Sequence, residues 1–457
     1  MSTAPVPTAS ARPSIWSNLR IDRRHYRWTE LWLLLLPAAF MLLGLFELLI
    51  VHSNTTVTST TLPPLDAFGP AIGLIAALGI AHILLNIVAP DSDQTLLPIA
   101  GMLSSIGVIM ALRLGPDLGV DSLGAKQLLF VILGLGVCIV TVRATRNLSR
   151  LRDFKYTWLI AGIVLVGITL VRAHSFSTNA PSRDVLTIGP GLLAFQPSEL
   201  LKICLVIFFA GYLDENREML ASSHYKVGPF TLPPLKHLGP MVAMLGIALV
   251  IVVGVRELGL ALLIFGLFLS LLYVASGRPA YVVVSLLIFA VGAYAAFSIF
   301  PYANTRLQLV TNAFSVPNDA GYQIVQGLIS FAHGGIFGSG LGLGKPWIVP
   351  ESNTDFIASS FGEEFGFAGI LALIGLFMLL VYRGLHVAVR ARDTFSQLMA
   401  VGLTAVFALQ TVVILAGNLK LLPLTGVPLP FVAYGGSSLI ANFIIIGILL
   451  RLSQHKV

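Results

Sequence analysis

Apolar runs long enough to cross a bilayer recur from end to end of this 457-residue chain, and no other feature constrains its fold as strongly. A membrane-spanning helix needs roughly 17–25 mostly apolar residues. About twelve segments fit: 31–52, 67–89, 96–114, 126–146, 155–173, 198–213, 238–255, 257–276, 279–300, 358–384, 396–418 and 428–450. Two of them, 198–213 and 238–255, are short, and 257–276 follows its predecessor almost without a loop. Only 11% of residues are charged and the mean hydropathy is +0.88, where globular chains carry about 25% charge, so an ordinary soluble domain is excluded. The bilayer core offers backbone groups no water, so they must pair within each segment. The fold class predicted is all-α, a polytopic helical membrane protein of the plasma membrane.

The first run is too long for a signal-peptide core and no small-residue cleavage site follows it, so it is expected to remain as a helix. Lys and Arg then set the orientation. With the N-terminus in the cytoplasm, the cytoplasmic segments carry Arg12, Arg20, Arg23, Arg24, Arg27, Arg143, Arg146, Arg150, Arg152 and Lys155, then Arg217, Lys226, Lys236, Arg278, Arg383, Arg390, Arg392, Arg451 and Lys456. The outer side has fewer: Arg113, Lys126, Arg172, Arg183, Lys202, Arg256, Arg306, Lys345 and Lys420. An even number of crossings returns the C-terminus to the cytoplasm. The bias accounts for the net charge of +7 without nucleic acid, because a basic N-terminus beside anionic lipid suffices. Residues 1–28 are expected to be a disordered basic cytoplasmic tail, 29–150 the N-terminal helices, and 151–457 the core, with a large external loop at 301–357. Cys138 and Cys204 fall inside helices and read as buried thiols, not as a disulfide or zinc frame.

The loop 301–357 is too long for a mere linker in a compact bundle, which points to function. Its stretch 321–333 is predicted as a short helix with Tyr322, Gln326 and either Ser330 or His333 on one face. Six glycines between Gly334 and Gly344 follow, then Thr354-Asp355 and the pair Glu363-Glu364. Ionisable groups beside a membrane are costly and mark either a site or a paired structural lock. Asp319, Glu351, Asp355, Glu363 and Glu364 offer external carboxylates that can act as a general base toward a sugar hydroxyl. They equally suit a divalent cation, Mg2+ or Mn2+, beside a diphosphate. Glu363 and Glu364 can also serve simply as helix-start caps.

Three further clusters converge on the same side. Gln196-Pro197-Ser198-Glu199 opens a helix in which Glu199 and Lys202 share a face, as an ion pair or as a polar cavity wall. Arg183, Arg256, Arg306 and Lys420 run against the charge bias and invite anionic partners, a diphosphate or lipid headgroups. The run 423–438, with three prolines and three glycines, cannot be a regular helix. Irregular backbone at membrane depth is tolerated where protein buries it or where it lines a wet cavity.

Together these motifs resemble the SEDS family (shape, elongation, division and sporulation), peptidoglycan polymerases of the RodA and FtsW type. The resemblance runs from about Arg172 to the C-terminus through Gln196-Pro197-Ser198-Glu199 with Lys202, Gly321-Tyr322-Gln323, Thr354-Asp355-Phe356 with Glu363-Glu364, and Pro423 to Ser438. It implies a core of about ten helices, so the chain carries about two extra N-terminal ones. It also implies polymerisation of lipid II, the undecaprenyl-diphosphate-linked disaccharide-peptide, at the outer membrane face. A class B penicillin-binding protein, within a cell-elongation or division complex, is the implied partner. The site expected from motif and residue chemistry places Asp319, Asp355 and Glu364 in catalysis. Arg183, Gln196, Glu199, Lys202, Arg306, Tyr322, Gln323, Lys420 and Ser437 are assigned to substrate.

Departures from the family pattern bear on the chemistry. The family's Asp-Pro-x-x-x-Gly-Tyr-Gln reads here Val316-Pro317-Asn318-Asp319-Ala320-Gly321-Tyr322-Gln323, and valine can neither take a proton nor bind a metal. Asp319, three residues on, is the expected replacement base. Glu257 stands for a common Asp, Val185 for a Trp and Ala433 for a Ser. Two other functions remain open: a scaffold for the penicillin-binding partner, which Val316 favours, and a lipid-linked precursor transporter, which would favour paired charges near the midplane.

Overall fold

The computed structural model describes residues 26–55, 68–176, 186–188, 193–222, 225–227, 230–232 and 235–454. Helix α1 (Trp28–Leu33) runs almost directly into α2 (Leu35–Thr55), and α3 (Gly69–Val88), α4 (Leu96–Asp117) and α5 (Leu123–Ala144) follow. The short α6 (Leu148–Asp153) precedes α7 (Lys155–Phe176). An antiparallel hairpin of β1 (Leu186–Ile188) and β2 (Leu193–Phe195) leads to α8 (Pro197–Ser222). A second hairpin, β3 (Tyr225–Val227) with β4 (Phe230–Leu232), leads to α9 (Leu235–Gly254), α10 (Leu258–Ser276) and α11 (Pro279–Ile299). Beyond them come α12 (Pro301–Asn312), α13 (Tyr322–Gly334), α14 (Ile357–Val389), α15 (Thr394–Asn418) and α16 (Gly436–Leu452).

A helix meets each of the apolar runs read from the sequence. Among the described residues eight are long and apolar enough to cross a membrane, and Lys155–Thr169, Gly239–Gly254 and Gly436–Leu452 are shorter apolar stretches. Helix α8 spans 26 residues but mixes apolar with charged side chains, so hydropathy alone marks it weakly. The two hairpins were not expected. They occupy connections between helices and leave the spanning architecture all-helical.

Helix α16 lies along α5, α7 along α8, and α14 along α15, while α10 packs on both α8 and α15. Lipid provides little hydrophobic drive between helices, so close approach at small residues matters. A Cβ at Gly134 of α5 would stand 2.2 Å from the Phe443 ring of α16, so only glycine fits there. Helix α4 is the most enclosed, whereas α11 stands at the rim with only Tyr281 buried.

Polar contacts gather at the two ends of the bundle. At the end where α1 begins and α16 finishes, Arg27 is fully buried, although it falls in the segment expected to be tail. Its guanidinium donates to the carbonyls of Ala89 and Ser92, each at 3.0 Å, and of Asp93 at 2.8 Å, and pairs with Glu30. Glu30 also accepts from His82 Nδ1 at 2.7 Å, and Asn86 and Tyr26 complete the ring around His82. Asp93 bonds Arg383 of α14, and its N–H donates to Ser453 Oγ at 2.8 Å. This network fastens the N-terminal helices to the core. Residues 1–25 of the expected tail lie outside the described residues.

Candidate functional site

The opposite end, where α4 finishes and α14 begins, carries the motifs singled out in the sequence. Residues 301–357 fold there as a cap. A small core of Ala313, Ile324, Val325, Val349 and Phe356, flanked by Leu309, Leu328 and Leu424, ties α12, α13 and the approach to α14 together. The helix expected at 321–333 is α13, Tyr322–Gly334. Its buried face presents Ile324, Val325, Gly327 and Ser330, while Tyr322, Gln323 and Gln326 are half-buried and His333 is exposed.

Asp355 sits at the edge of this cap. It ends a tight turn in which the N–H groups of Thr354 and Phe356 both donate to Glu351 O, at 3.1 and 3.0 Å. Its carboxylate faces Gly426 of the irregular segment between α15 and α16. Burial pushes the carboxyl up to about 6, the Glu351 charge adds to the rise and the Arg306 charge opposes it. Arg306, on α12, donates to Leu424 O at 3.1 Å and so anchors the same segment. Lys420 stacks on the Phe314 ring, 4.8 Å from its centroid, and Arg256 on Tyr302 at 5.7 Å. Three cations and a half-buried carboxylate thus surround the cap.

Glu363 and Glu364 lie deeper, at 4% and 1% exposure, and are bound into structure. Ser330 Oγ donates to Glu363, as does the Lys345 N–H at 2.7 Å. Arg113 of α4 donates through Nε to Glu364 Oε1 at 2.7 Å. Helix α14 breaks here, since Gly366 has φ 68° and ψ −170°. The glycine-rich loop pairs with the broken backbone. Ser339 and Gly340 donate to the carbonyls of Glu363 and Glu364 at 2.9 and 3.0 Å, and Phe367 and Ala368 donate to those of Gly335 and Ile336. Orphan groups of the break are therefore satisfied by the loop. A Cβ on Gly366 would stand 2.3 Å from Gly338 N. Glu364, assigned to catalysis from its motif, occupies an internal ion pair.

The third cluster joins α8 to α16. Lys202 Nζ donates to Glu199 Oε2 at 2.7 Å, both side chains being buried, and the Gln196 N–H donates to Ser437 Oγ at 3.0 Å. Residues 423–435 are non-helical as the prolines and glycines required, and the Tyr434 N–H donates to Asn353 O at 2.8 Å. This one irregular segment touches Arg306, Asp355, Asn353 and, through Ser437 just beyond it, Gln196. It is the common wall of the site.

Asp319 is exposed, in a turn whose N–H groups at Asp319 and Gly321 donate to Val316 O at 3.3 and 3.1 Å. Val316, at the family's Asp position, is also exposed. Arg183 lies outside the described residues. Arg113 was counted from sequence only as an outward cation. An arginine four residues before Asp117 near a helix end was the available signal of an internal pair. Among the described residues no three His, Cys, Asp or Glu side chains gather to hold a metal ion.

Residues 93–457 match the family model for FtsW, RodA and SpoVE, described as cell cycle protein. Peptidoglycan glycosyltransferase RodA of Mycobacterium tuberculosis is 35% identical over 398 residues, covering 86% of this chain and 84% of its own. A probable peptidoglycan glycosyltransferase FtsW of Geobacter metallireducens is 32% identical over 332 residues, covering 72% and 84%. The fold resembles a chain from a peptidoglycan synthase complex described as coordinating polymerization and crosslinking, at TM-score 0.61 and 24% identity over 79% of this chain and 97% of that one. It also resembles the crystal structure of Thermus thermophilus rod shape determining protein RodA, at TM-score 0.53 and 22% identity over 80% and 98%. The family match begins at residue 93 and so leaves out α1 to α3. The chain belongs to the FtsW/RodA/SpoVE family of cell cycle proteins.

Proposed function

We propose that this protein is a peptidoglycan glycosyltransferase that polymerises lipid II, with the cap end facing the outside of the plasma membrane and both termini in the cytoplasm. The relatives named peptidoglycan glycosyltransferase support the reaction class. The observation that carries the assignment of roles is Asp355, a half-buried carboxyl raised to about 6 and flanked by Arg306. A general base works best when its pKa lies near the operating pH. Asp355 takes the proton of the acceptor sugar 4-hydroxyl as that oxygen attacks the anomeric carbon of the donor. The bond to the lipid diphosphate breaks, and Arg306, Lys420 and Arg256 stabilise the departing charge. Asp319, on the exposed turn, is a second carboxylate at the cap. Gln196, Glu199, Lys202, Tyr322, Gln323 and Ser437 line the path of the headgroup. A class B penicillin-binding protein takes the glycan product for cross-linking.

The scaffold reading rests on one residue, Val316. The two readings separate in a polymerisation assay with labelled lipid II, purified protein and the penicillin-binding partner. Glycan strands from the wild type support the enzyme. No product from the wild type, with product from Val316→Asp, would establish a scaffold that has lost its chemistry. Loss of product in Asp319→Asn, with Asp355→Asn active, would move the base to the exposed turn.

A further inference from the structure

Arg113 meets four partners at the cap end. It projects from α4 one turn before the helix ends at Asp117, and its side chain is 9% exposed. Nε donates to Glu364 at 2.7 Å, one terminal nitrogen pairs with Asp117, and the other donates to Gly344 O at 3.0 Å. The guanidinium plane also lies 5.2 Å from the centroid of the Trp347 ring. Only a planar fork with several donors and a stacking face meets all four partners at once, and an ammonium would lose part of that geometry.

These partners mark one end of a strap. Gly344 closes the glycine-rich loop, Lys345 bonds Glu363, and Trp347 belongs to the helical turn Pro346–Ile348 that opens the run to Asp355. The far end of the strap enters α14 directly, at Ile357. Leu48 and Val51 of α2 close the other side of the loop at Gly342. We propose that Arg113 is a positioning residue for the transfer reaction. It pins the start of the strap 344–356 to α4 and to the broken top of α14, and so fixes where the Asp355 carboxylate stands. The inference rests on the role given to Asp355 above. A displacement of about 1 Å at a reacting group can cost on the order of 100-fold in rate, which makes such a pin consequential.

The test uses the full chain in lipid nanodiscs with its penicillin-binding partner, as wild type, Arg113→Gln, Arg113→Lys, Glu364→Gln and the Arg113→Gln/Glu364→Gln double variant. Two readings are taken: kcat and KM for lipid II, and hydrogen exchange of the amides of Ser339, Gly340 and Lys345 without substrate. In Arg113→Gln, exchange should speed up by about tenfold or more and kcat should fall by about tenfold or more, with KM within about threefold. Arg113→Lys should fall between wild type and Arg113→Gln. The double variant should lose little beyond either single one, because the two side chains act as a unit. Faster exchange with unchanged kcat would overturn the proposal, since the pin would then not matter to the reaction. Unchanged exchange with lower kcat, or a loss confined to KM, would also overturn it, by assigning Arg113 to substrate. If Arg113→Gln does not purify folded, Arg113→Lys, which keeps the charge beside Glu364, supplies both readings. Exchange is independent of turnover, so a protein without polymerase activity would refute the proposed function while still reporting on the pin.

Discussion

Arg27 at the terminal end and Arg113 at the cap end are both guanidiniums paired with a glutamate inside the bundle, yet their surroundings differ in kind. Arg27 donates to three carbonyls of the short connection between α3 and α4 and sits among regular helices. Around Arg113 the backbone is irregular, with a broken helix at Gly366 and a strap that packs into the cap core at Val349 and Phe356 on its way past Asp355. The non-glycine residues with left-handed backbone among those described are Arg256, Glu351, Lys420 and Phe431. All four lie in the cap-end loops or in the irregular segment between α15 and α16. Such conformations persist only where surrounding structure imposes them, and they gather where function needs them. One end of the molecule is built to hold, and the other is built to place groups.

The largest effect is expected at Asp355. Asp355→Asn should lower the polymerisation rate by about 10²–10⁴-fold, as expected for loss of a general base. It should also stabilise the protein at neutral pH. The folded carboxyl is raised to about 6, so the folded state holds the extra proton between the ordinary carboxylate range and that value, and stability falls as pH rises through this window. Asparagine removes that loss, and thermal unfolding at pH 7 against pH 5 would register it.

Arg27→Ala should do the reverse. It leaves Glu30 buried beside His82 without its main partner, at a cost of about 3–5 kcal/mol in denaturation experiments. Turnover per folded molecule should stay within about twofold, because the site is at the far end. A comparable loss of turnover would mean that the two ends are coupled.

Gly366→Ala is expected to have a smaller effect. Its φ of 68° disfavours a side chain, and the added Cβ would press on Gly338 N. A loss of about 1–3 kcal/mol in thermal stability should follow. The smallest effect belongs to Glu351→Asn. Asparagine tolerates the left-handed φ of 54° better, which should stabilise the fold by up to about 1 kcal/mol. Removing the like charge also lowers the Asp355 pKa, so the acid limb of the activity profile should move to lower pH.

Much of this architecture was legible in the sequence because lipid leaves few choices. Runs of apolar residues became helices, and α13 begins at Tyr322, within a residue of where its pattern starts. The irregular wall at 423–435 followed from prolines that cannot donate and glycines that need not be helical. What stayed hidden depends on distance in space. Arg113 and Glu364 are 251 residues apart, and no local pattern tells that one neutralises the other. The same holds for Arg27, read as tail from its polar, proline-containing neighbourhood and buried by contacts 62 to 66 residues away. Asp355 was picked out by its motif, but its half-buried setting beside Gly426 comes from tertiary packing alone.

The most direct measurement is the pH–rate profile of lipid II polymerisation by the wild type and by Asp355→Asn. If Asp355 is the base, the wild-type rate climbs about tenfold per pH unit on the acid side, bends at about 6 and levels off above it, and the variant loses both the rate and that limb. A variant that keeps the wild-type rate and the same bend would contradict the assignment of the base to Asp355.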